Sequence, residues 1–297
     1  MTNSITKSIY YNKVARISSQ YLKFLLFTAI HLCSFSFCFG NSERYLELAD
    51  SADFYIAREN WDKAEAKIIE ALRLEPANFT NSLLLSNLGT VQTAKGEYEK
   101  ALQSYELALS IAPSSAISYN NRARTLILMD RLSEALNDLT QSLTIDPEQE
   151  WPLQTKGFLL LGENKNDSAR IVFESLRNLF PENFLAHTGL ATIAQREGDD
   201  KIALDEYDKA LKLNPEDIET NASKIMLLIE LEKFSEARTL INKNLSYHPN
   251  EAIFYLLRGY LHKLNFRPDE ADADRKIAID KGLDPAYVET FIPSRKK

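Results

Sequence analysis

Between Ser115 and Pro147 the apolar residues Ile117, Tyr119, Ala123, Leu126 and Ile127 fall at helical spacing. Asp130 and Arg131 break the run, and Leu132, Ala135, Leu136, Leu139 and Leu143 restore it. The pattern predicts a helix, a tight turn and a second helix. It recurs: Pro113, Pro147, Pro181, Pro215 and Pro249 stand 34 residues apart, and Ala101, Ala135, Ala169, Ala203 and Ala237 each stand twelve residues before one of them. A fixed period in this range marks one supersecondary unit stacked on copies of itself. Gly96 and Gly198 supply breakers before the second helix of their copies, and the proline follows that helix where it cannot extend it. Glu134, Asp199 and Asp200 suit the positive end of a second helix. Each predicted helix has about three turns and is too short to persist alone in water, so neighbours must hold it.

Small residues predict how the helices approach. Gly89, Ala123, Gly157, Ala191 and Gly259 recur on the first helix, opposite the periodic alanine of the second, so the two backbones can close to contact. A glycine inside a helix costs about 1 kcal/mol against alanine, which argues for a packing need. A second small position, at Ala71, Ala108, Ala210 and Ala278, is expected to meet the next copy. Tyr55, Ile68, Tyr105, Leu126, Leu139, Leu160, Phe173 and Tyr207 fill the space between, and Trp61 reads as packing.

With these residues in place the chain resembles the tetratricopeptide repeat family, most fully through Leu85, Leu88, Gly89, Ala101, Tyr105, Ala108 and Pro113. Seven copies end at Pro76, Pro113, Pro147, Pro181, Pro215, Pro249 and Pro285. The resemblance implies an all-α, right-handed superhelical solenoid of stacked helix-turn-helix repeats over residues 41–285, with 286–297 as a C-terminal cap. Two steps depart from the period. Extra residues around Phe79 to Asn81 are expected to loosen or re-angle the first repeat, and an insertion is expected at Lys281 and Gly282. Arg275 at an interior aromatic position and Asn244 at the second small position fit terminal copies that turn one polar face to water.

Residues 1–40 have a different character. They carry Lys7, Lys13, Arg16 and Lys23, no acidic residue, and an apolar run from Phe24 to Gly40. A basic start, an apolar run and a small residue at its end describe a secretory signal peptide, with cleavage after Gly40. An uncleaved anchor is the second reading. The run is at the short limit for a membrane span. Leu32 and Phe37 disfavour a lipid anchor on Cys33 or Cys38. The expectation is an exported protein, periplasmic or secreted, with any membrane attachment confined to this segment.

Setting that segment aside leaves 31 basic residues against 42 acidic ones, a formal charge of −11, and no cysteine. Nucleic-acid binding and attachment to an anionic membrane surface need a basic footprint and are disfavoured. His187, His248 and His262 sit in separate repeats without a metal-ligand spacing, so no metal site is expected. No phosphate loop, nucleophile elbow or cysteine nucleophile is present, so neither a catalytic residue nor a cofactor is assigned.

What remains is a surface. In the family that this chain resembles, the first helix of each repeat lines a concave face that grips a segment of a partner. Mapping that face gives Asn87, Asn120, Asn121, Arg124, Trp151, Gln154, Phe158, Thr192 and Arg196 as candidate partner-binding residues. Amides there could bond a peptide backbone, Arg124 or Arg196 could take a carboxylate, and Trp151 or Phe158 could anchor an apolar group. Each has a plainer reading: Asn87 and Asn121 as helix-to-helix bridges, the arginines as surface ion pairs, Trp151 as packing on the preceding repeat. The lysine clamp some family members use for a terminal carboxylate is absent, since Ala49, Asp53, Ile117 and Asn121 stand at its positions. The expected function is a scaffold for a protein or peptide ligand. The alternatives are a catalytic or small-molecule-sensing repeat protein and a structural spacer whose groove is filled by its own tail, Tyr287 to Lys297.

Overall fold

The computed structural model describes residues 43–294. The expected leader, its cleavage site and both cysteines lie outside the described residues. Among these, fifteen α-helices and no strand occur. Two compact units divide the chain, one reaching Lys165 and the other starting at Asn166. Unit 1 holds α1 (Glu43–Ile56), α2 (Trp61–Leu74), α3 (Asn81–Ala94), α4 (Tyr98–Ile111), α5 (Ala116–Leu128), α6 (Leu132–Ile145) and α7 (Glu150–Gly162). Unit 2 holds α8 (Asn166–Leu179), α9 (Phe184–Glu197), α10 (Asp200–Leu213), α11 (Ile218–Glu230), α12 (Phe234–Tyr247), α13 (Ala252–Leu264), α14 (Pro268–Asp280) and α15 (Pro285–Phe291). Within each unit every helix packs on the next in sequence. No helix among the described residues is long and apolar enough to cross a membrane.

Seven turns join a first helix to its second, and they share one conformation. Glu59, Gly96, Asp130, Asn164, Gly198, Glu232 and Phe266 all have φ between 55° and 83°. At Gly96 the amide bonds back to the Thr93 carbonyl and the next amide, of Glu97, to the Gln92 carbonyl at 2.8 Å. Phe266 and Arg267 repeat the pair against Lys263 and His262. These two bonds satisfy carbonyls that the end of a helix leaves open, and the left-handed residue between them turns the chain. Three first helices open on side-chain caps: Ser115 Oγ and Asp217 Oδ2 accept from the amides three residues on, and Asn183 Oδ1 from the amide two on.

Packing follows the small residues. Ala101, Ala135, Ala169, Ala203 and Ala237 are wholly inaccessible to water. A Cβ placed on Gly89 would stand 2.6 Å from the Tyr105 ring, so the room this glycine leaves is taken by an aromatic ring of α4 rather than by the alanine and backbone that were expected there. Tyr105 in turn shares its hydroxyl with Thr90 at 3.3 Å. In unit 2 a Cβ on Gly259 would meet Ile292 of the tail at 2.6 Å.

Ionic pairs recur in the same register. Arg122 reaches Asp138 through Nε and Nη2 at 2.8 and 2.7 Å, and Arg258 reaches Asp274 in the same two-pronged way at 2.9 and 2.6 Å. Both pairs tie a first helix to its second.

The irregular ends are tied rather than loose. The longer connection before α3 was expected to loosen or re-angle the first repeat, and it is not loose. Instead, Asn78 Oδ1 accepts from the Thr80 amide at 2.9 Å and its hydroxyl at 2.7 Å, and Asn81 Nδ2 donates to the Glu75 carbonyl at 2.7 Å. The Tyr45 hydroxyl closes on Asn81 Oδ1 at 3.0 Å. The inserted polar residues satisfy one another and the helix ends, which holds the longer loop on α1. At the other end Gly282 turns the chain and Pro285 opens α15. Arg275, at an interior position, finds Glu289 of α15 at 2.8 Å, and Lys263 donates to the Phe291 carbonyl at 2.8 Å. The tail through Ser294 thus covers the last helix pair, with Val288, Phe291 and Ile292 buried.

Two substitutions test this geometry. Gly89→Ala should lower stability by about 1–3 kcal/mol because the Tyr105 ring must move. Phe266 is 94 % exposed and stands in the left-handed region that bulky residues avoid. Phe266→Gly should therefore raise stability by about 1 kcal/mol. Urea denaturation midpoints read both signs.

Candidate functional site

The 34-residue register lines up equivalent positions of α3, α5 and α7 in unit 1. Leu83, Ile117 and Trp151 form one row; Ser86, Asn120 and Gln154 a second; Asn87, Asn121 and Thr155 a third; Thr90, Arg124 and Phe158 a fourth. The rows bring seven of the nine expected residues onto one tier of helices. Thr192 and Arg196 are on α9 in unit 2 and form no part of this tier.

The members of the tier fare differently. Asn87 is half-buried and its Nδ2 donates to Asp53 Oδ1 of α1 at 3.2 Å. Burial, with a smaller contribution from Asp50, pushes the Asp53 carboxyl above its ordinary value. Asn121 is half-buried and its Nδ2 reaches Ser86 Oγ at 3.5 Å. Both asparagines bridge neighbouring first helices. Thr93 and Thr125, joined at 2.7 Å, bridge α3 to α5 deeper in the unit.

Asn120, Arg124, Trp151, Gln154 and Phe158 were expected at open positions. All five are buried. Arg124 is 4 % exposed and Trp151 5 %, and the guanidinium lies over the indole with its carbon 4.5 Å from the ring centroid. That stacking covers both groups at once. Asn120 Nδ2 donates to Gln149 Oε1 at 2.6 Å in the connection between α6 and α7.

Burial here is not matched by partners. Arg124 Nε and Nη2, Trp151 Nε1, Asn120 Oδ1, Gln154 Oε1 and Thr155 Oγ1 are shielded from water and make no hydrogen bond. Among the described residues no carboxylate lies within ion-pair reach of Arg124. Burial pushes its guanidinium down to about 10, partly offset by Tyr105. It therefore still carries a full charge at neutral pH. Leaving such a group without a partner costs about 1–3 kcal/mol, and more for a charge. Two residues earlier on the same helix, Arg122 is fully answered by Asp138. Thr155 was not singled out from the sequence, although the step from Asn87 through Asn121 points to it.

In unit 2, Arg196 Nη1 donates to Asn166 Oδ1 of α8 at 3.2 Å, and Thr192 Oγ1 to the Thr188 carbonyl at 2.9 Å. Thr188 and Thr220, 2.9 Å apart, join α9 to α11 as Thr93 and Thr125 join α3 to α5. Gln195 is held between the Tyr207 hydroxyl and Glu230. These contacts leave the two expected residues bonded within their own unit. His187 Nδ1 stands 2.6 Å from Glu206 Oε2, and Lys209 Nζ 2.8 Å from Glu206 Oε1. No group of three metal-ligating side chains converges among the described residues.

Two stretches match family models described as tetratricopeptide repeat, residues 80–148 and 156–218. The DnaJ homolog subfamily C member 7 homolog of Dictyostelium discoideum is 28 % identical over 48 % of this chain and 29 % of its own length. The mitochondrial import receptor subunit TOM70 of Homo sapiens is 26 % identical over 65 % of this chain and 34 % of its own. The chain thus spans about a third of the length of these curated relatives. Among solved structures, a tetratricopeptide repeat protein from Parabacteroides merdae superposes with a TM-score of 0.69 at 25 % identity. The match covers 84 % of this chain and 98 % of that one.

Glu206 gives this region a pH signature. Burial raises its carboxyl, but hydrogen bonds from His187 and Lys209 outweigh that and leave it below its ordinary value. A depressed carboxyl adds stability above the unfolded-state value and loses it as the pH falls through the folded-state value. Glu206→Gln should therefore lower the urea midpoint at neutral pH and flatten its decline below about pH 4. Midpoints measured from pH 7 to pH 3 on both proteins check this.

Proposed function

Because this chain belongs to the tetratricopeptide-repeat family, we propose that it holds a segment of a partner protein on the α3, α5 and α7 tier of unit 1. Repeats of this family serve in general as protein-interaction scaffolds and are typically non-catalytic. The observation that carries the choice of tier is the set of shielded, unbonded polar atoms on Asn120, Arg124, Trp151, Gln154 and Thr155. Buried polar groups in folded proteins are nearly always bonded, so a cluster of exceptions on this tier supports that choice. The edge of that tier offers apolar contact as well, since Leu83 is 48 % and Ile117 56 % exposed. Exposed apolar side chains of this size are the kind that a partner buries.

The composition of residues 1–40 supports a role outside the cytoplasm, in an exported or envelope assembly, with that segment as signal or anchor. The acidic balance of the remaining chain favours protein over nucleic acid as the partner.

Position-specific photocross-linking tests the assignment. A photoreactive residue at Ile117 should capture a partner in the native compartment, and one at the exposed Leu107 of α4 should not. Equal capture from both positions, or capture from Leu107 alone, would move the site to the second helices.

A further inference from the structure

Four lysines are half-buried among the described residues: Lys67, Lys95, Lys156 and Lys224. Three of them are held by carboxylates. Lys67 meets Glu70 at 2.7 Å, Lys95 meets Asp62 and Glu65 at 2.7 Å each, and Lys224 is paired with Asp208. Lys156 of α7 makes no hydrogen bond or ion pair among the described residues. The register accounts for the difference. Arg122 and Arg258, at the equivalent place of their copies, each meet an aspartate sixteen residues later, and Lys224 meets one sixteen residues earlier. The same steps from Lys156 lead to Val172 and Thr140, and neither carries a charge.

The surroundings of Lys156 along its own helix are apolar. Pro152, Leu153, Leu159 and Leu160, three and four residues away on either side, are all buried. Burial pushes the Lys156 ammonium below its ordinary value, and no charged group bears on it in either direction. Loss of water disfavours the charged form, and the neutral amine that remains is the nucleophile. At Lys67, Lys95 and Lys224 the neighbouring carboxylates hold the ammonium instead.

We propose that Lys156 is a covalent site for a small aldehyde. The lone pair of Nζ attacks the carbonyl carbon, the carbonyl oxygen leaves as water with both amine protons, and a C=N bond replaces the C=O bond. Water reverses the step, so no oxidant or reductant is consumed. The imine has no charge to bury in its neutral form, so the apolar neighbours that disfavour the ammonium favour the product. A half-buried amine admits a short aldehyde more readily than a long one. This site is separate from the four rows of the binding tier and stands whether or not that tier holds a partner.

Reductive trapping tests the assignment. The full chain is incubated near neutral pH with propanal and sodium cyanoborohydride, which converts each imine into a stable propylamine, and mass spectrometry reads the modification at every lysine. Lys156 should react at least about three-fold faster than the exposed Lys243, and Lys95 more slowly than either. In denaturing urea the three rates should converge, since the preference belongs to the fold. Lys156→Met should remove the fast site and raise the thermal midpoint, because it deletes a charge that has no counter-ion. Lys95→Met leaves two carboxylates without their partner and should lower the midpoint. Lys156 reacting no faster than Lys243 or Lys95, a preference that survives in urea, or a thermal midpoint lowered by Lys156→Met would each overturn the proposal.

Discussion

The rest of this structure depends on the close approach of two short helices. Each helix of a pair has 13 or 14 residues, a little under four turns, and would not hold its shape alone in water. It holds because a small residue on the first helix lets a large side chain of the second lie flat against its backbone, as the Tyr105 ring lies against Gly89. The periodic alanines, wholly shielded from water, answer from the second helix. Interior density leaves no slack for an added methyl group at such points. The 34-residue period is the trace of that single contact in the sequence. The shared left-handed turn fixes where the second helix begins, so contact and turn together set the register of every other side chain.

That register also decides which polar groups can meet. Arg122 with Asp138 and Arg258 with Asp274 occupy the same two places in different copies and make the same two-pronged bond. Thr93 with Thr125 and Thr188 with Thr220 also link successive first helices, though at different places along them. Such pairs add little net stability to a core that already packs well, because removing the charges from water offsets much of the attraction. They do penalise any other register, in which a buried carboxylate or hydroxyl would be stranded. A stack of near-identical units needs that discrimination more than a fold with a single arrangement does.

The helix pairs, the small positions and the periodic alanines were legible in the sequence because apolar spacing reports them directly. The turn was less so. Asp130 and Asn164 are residues that tolerate positive φ, but Glu232 and Phe266 carry no such mark, and only the bonds around them reveal the conformation. The longer loop at Asn78 was read as slack because an insertion shows as length alone. Its bonds to Thr80 and Glu75 depend on side-chain directions that a sequence does not give. The candidate site divided for the same reason. Arg124 and Arg196 look equivalent as letters on a first helix, yet Arg196 finds Asn166 within its unit and Arg124 finds nothing but the face of an indole.

Arg122 and Arg124 sharpen that difference, because they share a helix and a chemistry. Arg122 keeps partial access to water and has a carboxylate across both prongs, an arrangement that offsets its loss of hydration. Arg124 is more deeply buried and has neither. If its role were packing alone, a methionine would fill the same space over Trp151 without the cost of an unanswered charge. The arginine is therefore a local expense in stability, stacked over the Trp151 indole with its Nε and Nη2 unbonded.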